Sequence, residues 1–225
     1  MRGGLSHPGP GDPCDLTQSI ITRDEPWKGM ATDTEHHPIF SVIRERQSVR
    51  NYADRKVPDD SIRKVIAAGI QAPTALGLQP WQFVVVRDRD LMRKASDYCK
   101  PILVEKIEEE PRNPGTDIFL AALRDPEYSI FYNAPVLILV LGAREVVSSV
   151  IDCALCAENM LLAAWALGLG SCWVGSAALI EQNPDLLAAL KVPDDHQIVA
   201  PLIFGYPAPL TPKLERREPR ITWVP

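Results

Sequence analysis

Hydrophobic positions along the chain alternate between helical spacing and short apolar runs. After a long polar lead, residues 39–46 show the first helical spacing. Pro58, followed by Asp59 and Asp60, predicts the start of a second helix. Proline fits a first turn, and carboxylates favour the positive end of the helix dipole. Ile62, Val65, Ile66, Gly69 and Ile70 mark its buried face. Residues 82–87 predict a buried strand. Residues 89–99 predict a third helix with Leu91, Met92, Ala95, Tyr98 and Cys99 inward. Apolar runs at 135–141, 171–175 and 198–204 predict further strands. Residues 151–167 predict a strongly apolar helix capped by Gly168. Asn183-Pro184-Asp185 is a helix-start signature for residues up to Leu190. Strands and helices alternate without strict βαβ order, so the pattern predicts an α+β fold around a central mixed sheet.

Three stretches lack a clear period. Residues 1–36 are rich in Gly, Pro and polar side chains, which predicts a flexible tail before a single domain over 37–225. Residues 100–134 are interrupted by Pro111, Pro114 and Pro126, a pattern that substrate-covering segments share. Their Phe119, Tyr128 and Phe131 either shape a substrate face or pack into the core. Glu108-Glu109-Glu110 reads as a solvated face. Beyond Gly205 the chain carries five prolines and the basic group Lys213, Arg216, Arg217 and Arg220. Such a tail cannot bury itself and suits a partner surface. The uncharged run 159–180 is long enough to span a bilayer. Gly168, Gly170 and Ser171 break it, so it reads as a buried helix, a turn and a buried strand.

Composition narrows the function. A net charge of −5 disfavours a general nucleic-acid binder, although a local anion site needs only a few donors. Five cysteines without framework spacing fit a reducing compartment, and no secretory segment opens the chain, which predicts a cytoplasmic protein without a membrane anchor. Cys153 and Cys156 fall mid-helix and read as small core residues. The histidines form no catalytic triad, and no spacing suits a metal.

Two clusters carry the candidate chemistry. Arg46-Gln47-Ser48-Val49-Arg50 sets two guanidiniums around a hydroxyl. On a helix Arg46 and Arg50 would share a face; at a helix end they would fan apart. A solvated basic helix end describes the same residues. In the second cluster, Pro73 disfavours helical geometry at Ala72 and opens a turn through Thr74, Ala75, Leu76, Gly77 and Gln79 to Trp81. This turn frees backbone groups for a ligand, or simply connects a helix to a strand. A third segment, 168–175, is glycine-spaced but lacks the dinucleotide-binding order. Its last glycine allows close backbone approach.

Taken in order, these segments resemble the nitroreductase family over roughly residues 39–220. The family's opening motif is Arg, a basic residue, Ser, any residue, then Arg or Lys. Arg46, Ser48 and Arg50 match, and Gln47 stands for the second basic residue. The family's Pro-Ser-x-x-Asn-x-Gln-Pro-Trp run appears as residues 73–81, with Thr74 for Ser and Gly77 for Asn. The resemblance implies FMN as cofactor and NAD(P)H as co-substrate in a ping-pong cycle through flavin N5. It implies a nitroaromatic, quinone or similar conjugated acceptor, with no essential side-chain acid or base. Arg46, Gln47 and Ser48 would lie at the phosphate and ribityl end, with Arg50 near N1 and O2. Pro73, Thr74, Ala75, Leu76 and Gln79 would line the ring. Val174 and Gly175 would face N5, and Lys213 and Arg216 would reach the phosphate. It further implies an intertwined homodimer whose C-terminal extension lies on the partner. Related-looking folds dehalogenate, destroy flavin or oxidise rings, and a non-catalytic flavin-binding protein is the remaining alternative.

Overall fold

The computed structural model describes residues 37–109, 111, 113–209, 213 and 215–224. The chain divides into two compact units, Met1–Ser41 and Val42–Pro225. The expected tail at 1–36 lies outside the described residues, as does Glu110. The elements run α1 (Pro38–Glu45), α2 (Asp59–Gly69), β1 (Trp81–Val86), α3 (Arg89–Glu108), α4 (Pro114–Arg124), β2 (Val136–Ala143), α5 (Ser149–Ala166), β3 (Gly170–Trp173), α6 (Pro184–Ala189) and β4 (His196–Gly205).

The four strands form one sheet in the order β1-β2-β4-β3, and every pairing is antiparallel. The parallel component expected of a mixed sheet is confined to an isolated bridge between Ser48 and Ser171. β2 is the central spine: Val136 to Leu141 are fully buried, because both sheet faces are covered. One core face joins Leu137, Leu139 and Leu141 to α3 and the segment after α4. The other joins Ile138 and Val140 to α2 and α5. Gly69 lets α2 approach α5 closely, since a Cβ there would come within 2.6 Å of Met160.

α5 is long and apolar enough to cross a membrane by length and composition alone. Its Cys153, Cys156, Ala157, Met160 and Ala164 are buried against α2 and the sheet. Gly168 ends it at φ 72°, the left-handed geometry of a helix C-terminus. Asn183 caps α6 by accepting a 3.0 Å hydrogen bond from the Leu186 amide.

Four expectations change. β1, expected as a buried strand, lies at the edge of the sheet with only Val86 buried. α2 ends at Gly69, so Ile70 lies beyond it and is exposed, and Ile66 is only half-buried. α3 does not stop at Cys99 but continues through Pro101 to Glu108. Its second half is held from outside: the Lys100 Nζ donates to the carbonyls of Asp125 and Tyr128 at 2.8 and 3.0 Å. Residues 114–124, placed in an irregular stretch, form a regular helix. Asn113 and Thr116 close a reciprocal capping box at its start, and Pro114 occupies the first turn.

Candidate functional site

α1 ends at Glu45, so the Arg46–Arg50 cluster is not helical. It opens a strand-like segment lying along the end of β3. Ser48 bridges Ser171, and the Val49 amide donates to the Ser171 carbonyl at 2.9 Å. Further along, the Ala53 amide donates to the Tyr206 carbonyl at 2.9 Å, and the Ala208 amide to the Asn51 carbonyl at 3.0 Å. Two glycines make this close fit possible. A Cβ on Gly170 would come within 2.8 Å of Val49, and one on Gly205 within 2.6 Å of Tyr52. Arg55 adds a clamp, its guanidinium 3.7 Å from the centre of the Tyr206 ring.

Extended backbone has a side-chain period of two. Val49 is buried, while Ser48 and Arg50 are exposed on the other side. Ser48 and Arg50 therefore share a face through strand alternation, while the Arg46 amide still closes the last turn of α1 on the Val42 carbonyl at 2.9 Å. Burial pushes the Cys172 thiol up; Arg50, a hydrogen bond with Ser48, and Arg46 act against that shift. These influences place both guanidiniums and the hydroxyl around one point on β3. Arg46 also lies 3.7 Å from Glu158 on α5. Beneath the cluster, Ser171 Oγ is buried with no hydrogen-bond partner among the described residues. Val174 and Gly175 continue from β3. Val174 is fixed by its amide to the Pro201 carbonyl at 2.9 Å, and a Cβ on Gly175 would meet open space.

The second cluster is a strained, exposed turn. Leu76, Gly77 and Gln79 have φ of 54°, 69° and 48°. For Leu and Gln such angles are uncommon and concentrate at functional sites. Thr74 closes the turn by accepting from the Gln79 amide at 3.3 Å. The Ala75 amide, which the sequence left free for a ligand, donates to Asp152 Oδ1 at 3.2 Å. Ser148 donates to the other oxygen of that carboxylate at 2.9 Å. Asp152 is thus a buried support of the turn that sequence reasoning missed. Its signal was a carboxylate in the first turn of an otherwise strongly apolar helix.

Among the described residues no hydrogen bond or ion pair joins the two clusters directly; α5 touches both, through Asp152 and Glu158. The first lies beside β3, one edge of the sheet; the turn precedes β1, the other edge. Three strand spacings, roughly 14 Å, separate those edges. Gln47 is half-buried beside the first cluster, and Lys213 and Arg216 are exposed on the tail. Phe131 is fully buried, and Phe119 and Tyr128 pack against the same core, so core packing is their role.

The fold is α+β, and two arginines and a hydroxyl lie beside its outer strand β3. Comparison with known proteins specifies the class: the nitroreductase family model matches residues 43–206, and the chain belongs to that family. A relative from Archaeoglobus fulgidus, named "Putative NADH dehydrogenase/NAD(P)H nitroreductase", is 32% identical over 169 residues, covering 75% of this chain and 84% of the relative. A 4-nitrobenzoate reductase from a Nocardioides species is 26% identical, covering 80% and 85%. Among solved structures, a nitroreductase with bound FMN from Bacteroides fragilis superposes with a TM-score of 0.69 at 25% identity, over 84% of this chain and 99% of that one.

Proposed function

We propose that this chain is an FMN-dependent oxidoreductase that takes hydride from NAD(P)H and passes it to a nitroaromatic, quinone or similar conjugated acceptor. The observation that carries the reading is the pairing of the Ser48–Arg50 segment with β3, which presents Ser48 and Arg50 on one face directly after Arg46. The residues present fit the cofactor. Two guanidiniums and a hydroxyl suit a phosphate and a polar chain, Ser171 Oγ is a buried polar atom lacking a partner, and Gly175 leaves room for close approach. Arg46 and Ser48 would hold the phosphate and ribityl end, with Gln47 beside them. Arg50 would sit at the pyrimidine edge and Val174–Gly175 near N5. FMN supplies the hydride-accepting ring when bound. The chain supplies orientation and the fixed Arg50 charge, which favours the reduced, anionic ring.

The separation of the two clusters supports a homodimer. A second copy's turn, with Pro73, Thr74, Ala75, Leu76 and Gln79, would complete the site. The apolar surface around this turn supports that arrangement: Leu76, Leu78, Val147, Val150, Ile151 and Leu155 are exposed beside one another where the turn meets α5. The tail would extend over the partner, bringing Lys213 and Arg216 to the phosphate. Reduced Cys99, Cys153, Cys156 and Cys172 support a cytoplasmic setting.

The absorbance spectrum of the purified, FMN-reconstituted protein tests cofactor retention. Anaerobic mixing with NADH and with NADPH is expected to bleach the flavin band, and a nitroaromatic to restore it. Loss of FMN on gel filtration, or a flavin that stays oxidised with both donors, would sink the reading.

A further inference from the structure

The segment between α4 and β2 carries a backbone feature that neither the core nor the sheet requires. Tyr132 and Asn133 are both left-handed, with φ of 52° and 54°, and neither is a glycine. Consecutive left-handed residues with side chains are strained and persist only where the surroundings fix them. Here the surroundings do. Ile130 and Phe131 are buried to 1% and 0% exposure, anchoring the segment from one side. The Ile130 amide donates to Ser96 Oγ at 3.0 Å, the Tyr132 amide to the Ser129 carbonyl at 2.8 Å, and the Ala134 amide to the Phe131 carbonyl at 3.0 Å.

The Tyr132 ring is half-buried and packs against the rim of the same core. It meets the Arg50 guanidinium, which lies 5.9 Å from the ring centre. Tyr128 buttresses the ring edge-on, with centroids 5.8 Å apart and planes at 86°. Arg50 has no carboxylate partner among the described residues that would hold its direction, unlike Arg46, which lies near Glu158. At this distance a ring attracts a guanidinium through its π face and supplies no acceptor oxygen, which leaves the N–H edge free to donate. A carboxylate in the same place would occupy that edge and cancel the charge.

We infer that Tyr132 is a positioning residue for Arg50. It attracts the guanidinium through a cation–π contact instead of a carboxylate, so that edge and charge stay available to the reduced cofactor. The left-handed pair at 132 and 133 is the device that delivers the ring, and Tyr128 keeps it upright. This inference rests on the FMN reading above, with Arg50 at the pyrimidine edge.

The test measures the midpoint potential of bound FMN and the FMN dissociation constant in holoenzyme variants. Tyr132→Leu removes the ring. Tyr132→Gly also removes it but suits φ 52° without strain, so a fold defect in the first variant does not decide the outcome. Tyr132→Phe keeps the ring. The expected result is a lower potential in the Leu and Gly variants, roughly two- to fivefold weaker FMN binding, and wild-type values in the Phe variant. Combined with Arg50→Ala, Tyr132→Gly is expected to lower the potential no further than Arg50→Ala alone, because both changes remove one interaction. An unchanged potential in the Gly variant, while Arg50→Ala lowers it, overturns the positioning role and leaves the FMN reading standing. An unchanged potential in Arg50→Ala overturns the assignment of Arg50 itself.

Discussion

At the scale of the residue, position 77 shows how a departure from a motif can keep its backbone meaning. Gly77 stands where the resembling pattern has Asn. The structure places it at φ 69°, in a turn where Leu76 and Gln79 are also left-handed. Gly and Asn are the residues that enter this region most readily. The substitution therefore preserves the turn and removes only an amide. A Cβ at this position would meet nothing within 4 Å. Gly77→Asn is expected to leave the thermal midpoint nearly unchanged and to tighten FMN binding by roughly two- to tenfold, the value of one net hydrogen bond. Flavin fluorescence titration reads this directly, and weaker binding would count against the turn's place in the site. The identity of these residues was legible in the sequence, but their geometry was not. The Arg46 to Arg50 spacing suggested one helical face. Ser48 and Arg50 share a face through extended backbone instead, whose side-chain period is two.

Among the elements, α5 joins the core to the candidate site. Asp152 in its first turn holds the Ala75 amide and the Ser148 hydroxyl. Asp152→Ala is expected to destabilise the protein by about 2 kcal/mol, the cost of orphaning donors that faced a charge. The same variant should weaken FMN binding, because the turn loses its support. Urea unfolding beside a cofactor titration separates the two effects; a full-affinity variant would detach the turn from the site. Further along α5, burial pushes Cys153 and Cys156 up to about 12. In the unfolded chain a thiol ionises near pH 8.5. The folded state thus prefers the protonated form, and this contribution is whole below about pH 8.5 and lost as pH rises towards 12. Thermal midpoints measured from about pH 7 to about pH 10 should fall at the alkaline end, and less steeply once both cysteines are alanine. Helices with caps and strands of unbroken apolar residues were readable from local pattern. α3 beyond Cys99 was not, because the contacts that carry it through Pro101 come from Asp125 and Tyr128, distant in sequence.

For the whole molecule, the sheet sets the limits. β1 is an edge strand with Val85 exposed, and the tail presents Ile221, Trp223 and Val224 to solvent. An open edge and an unpaired apolar tail are liabilities that association would remove. Deleting residues 210–225 is expected to shift the protein towards monomer in sedimentation experiments and to reduce FMN retention together. A truncated dimer with unaltered FMN affinity would remove the tail from the interface. Sequence pattern can propose such an assembly, but the roughly 14 Å between sheet edges is a property of strand order alone.

The stitching of residues 46–53 to Ser171, Tyr206 and Ala208 also has a consequence for the order of events during synthesis. Chains emerge from the ribosome N-terminus first, and contacts between distant segments are slow to form. The arginines are thus made before the strands that aim them. A nascent chain that has reached α5 holds every cation of the first cluster and no rigid cradle. Cofactor capture then becomes a late checkpoint, open only to chains whose last strand has docked.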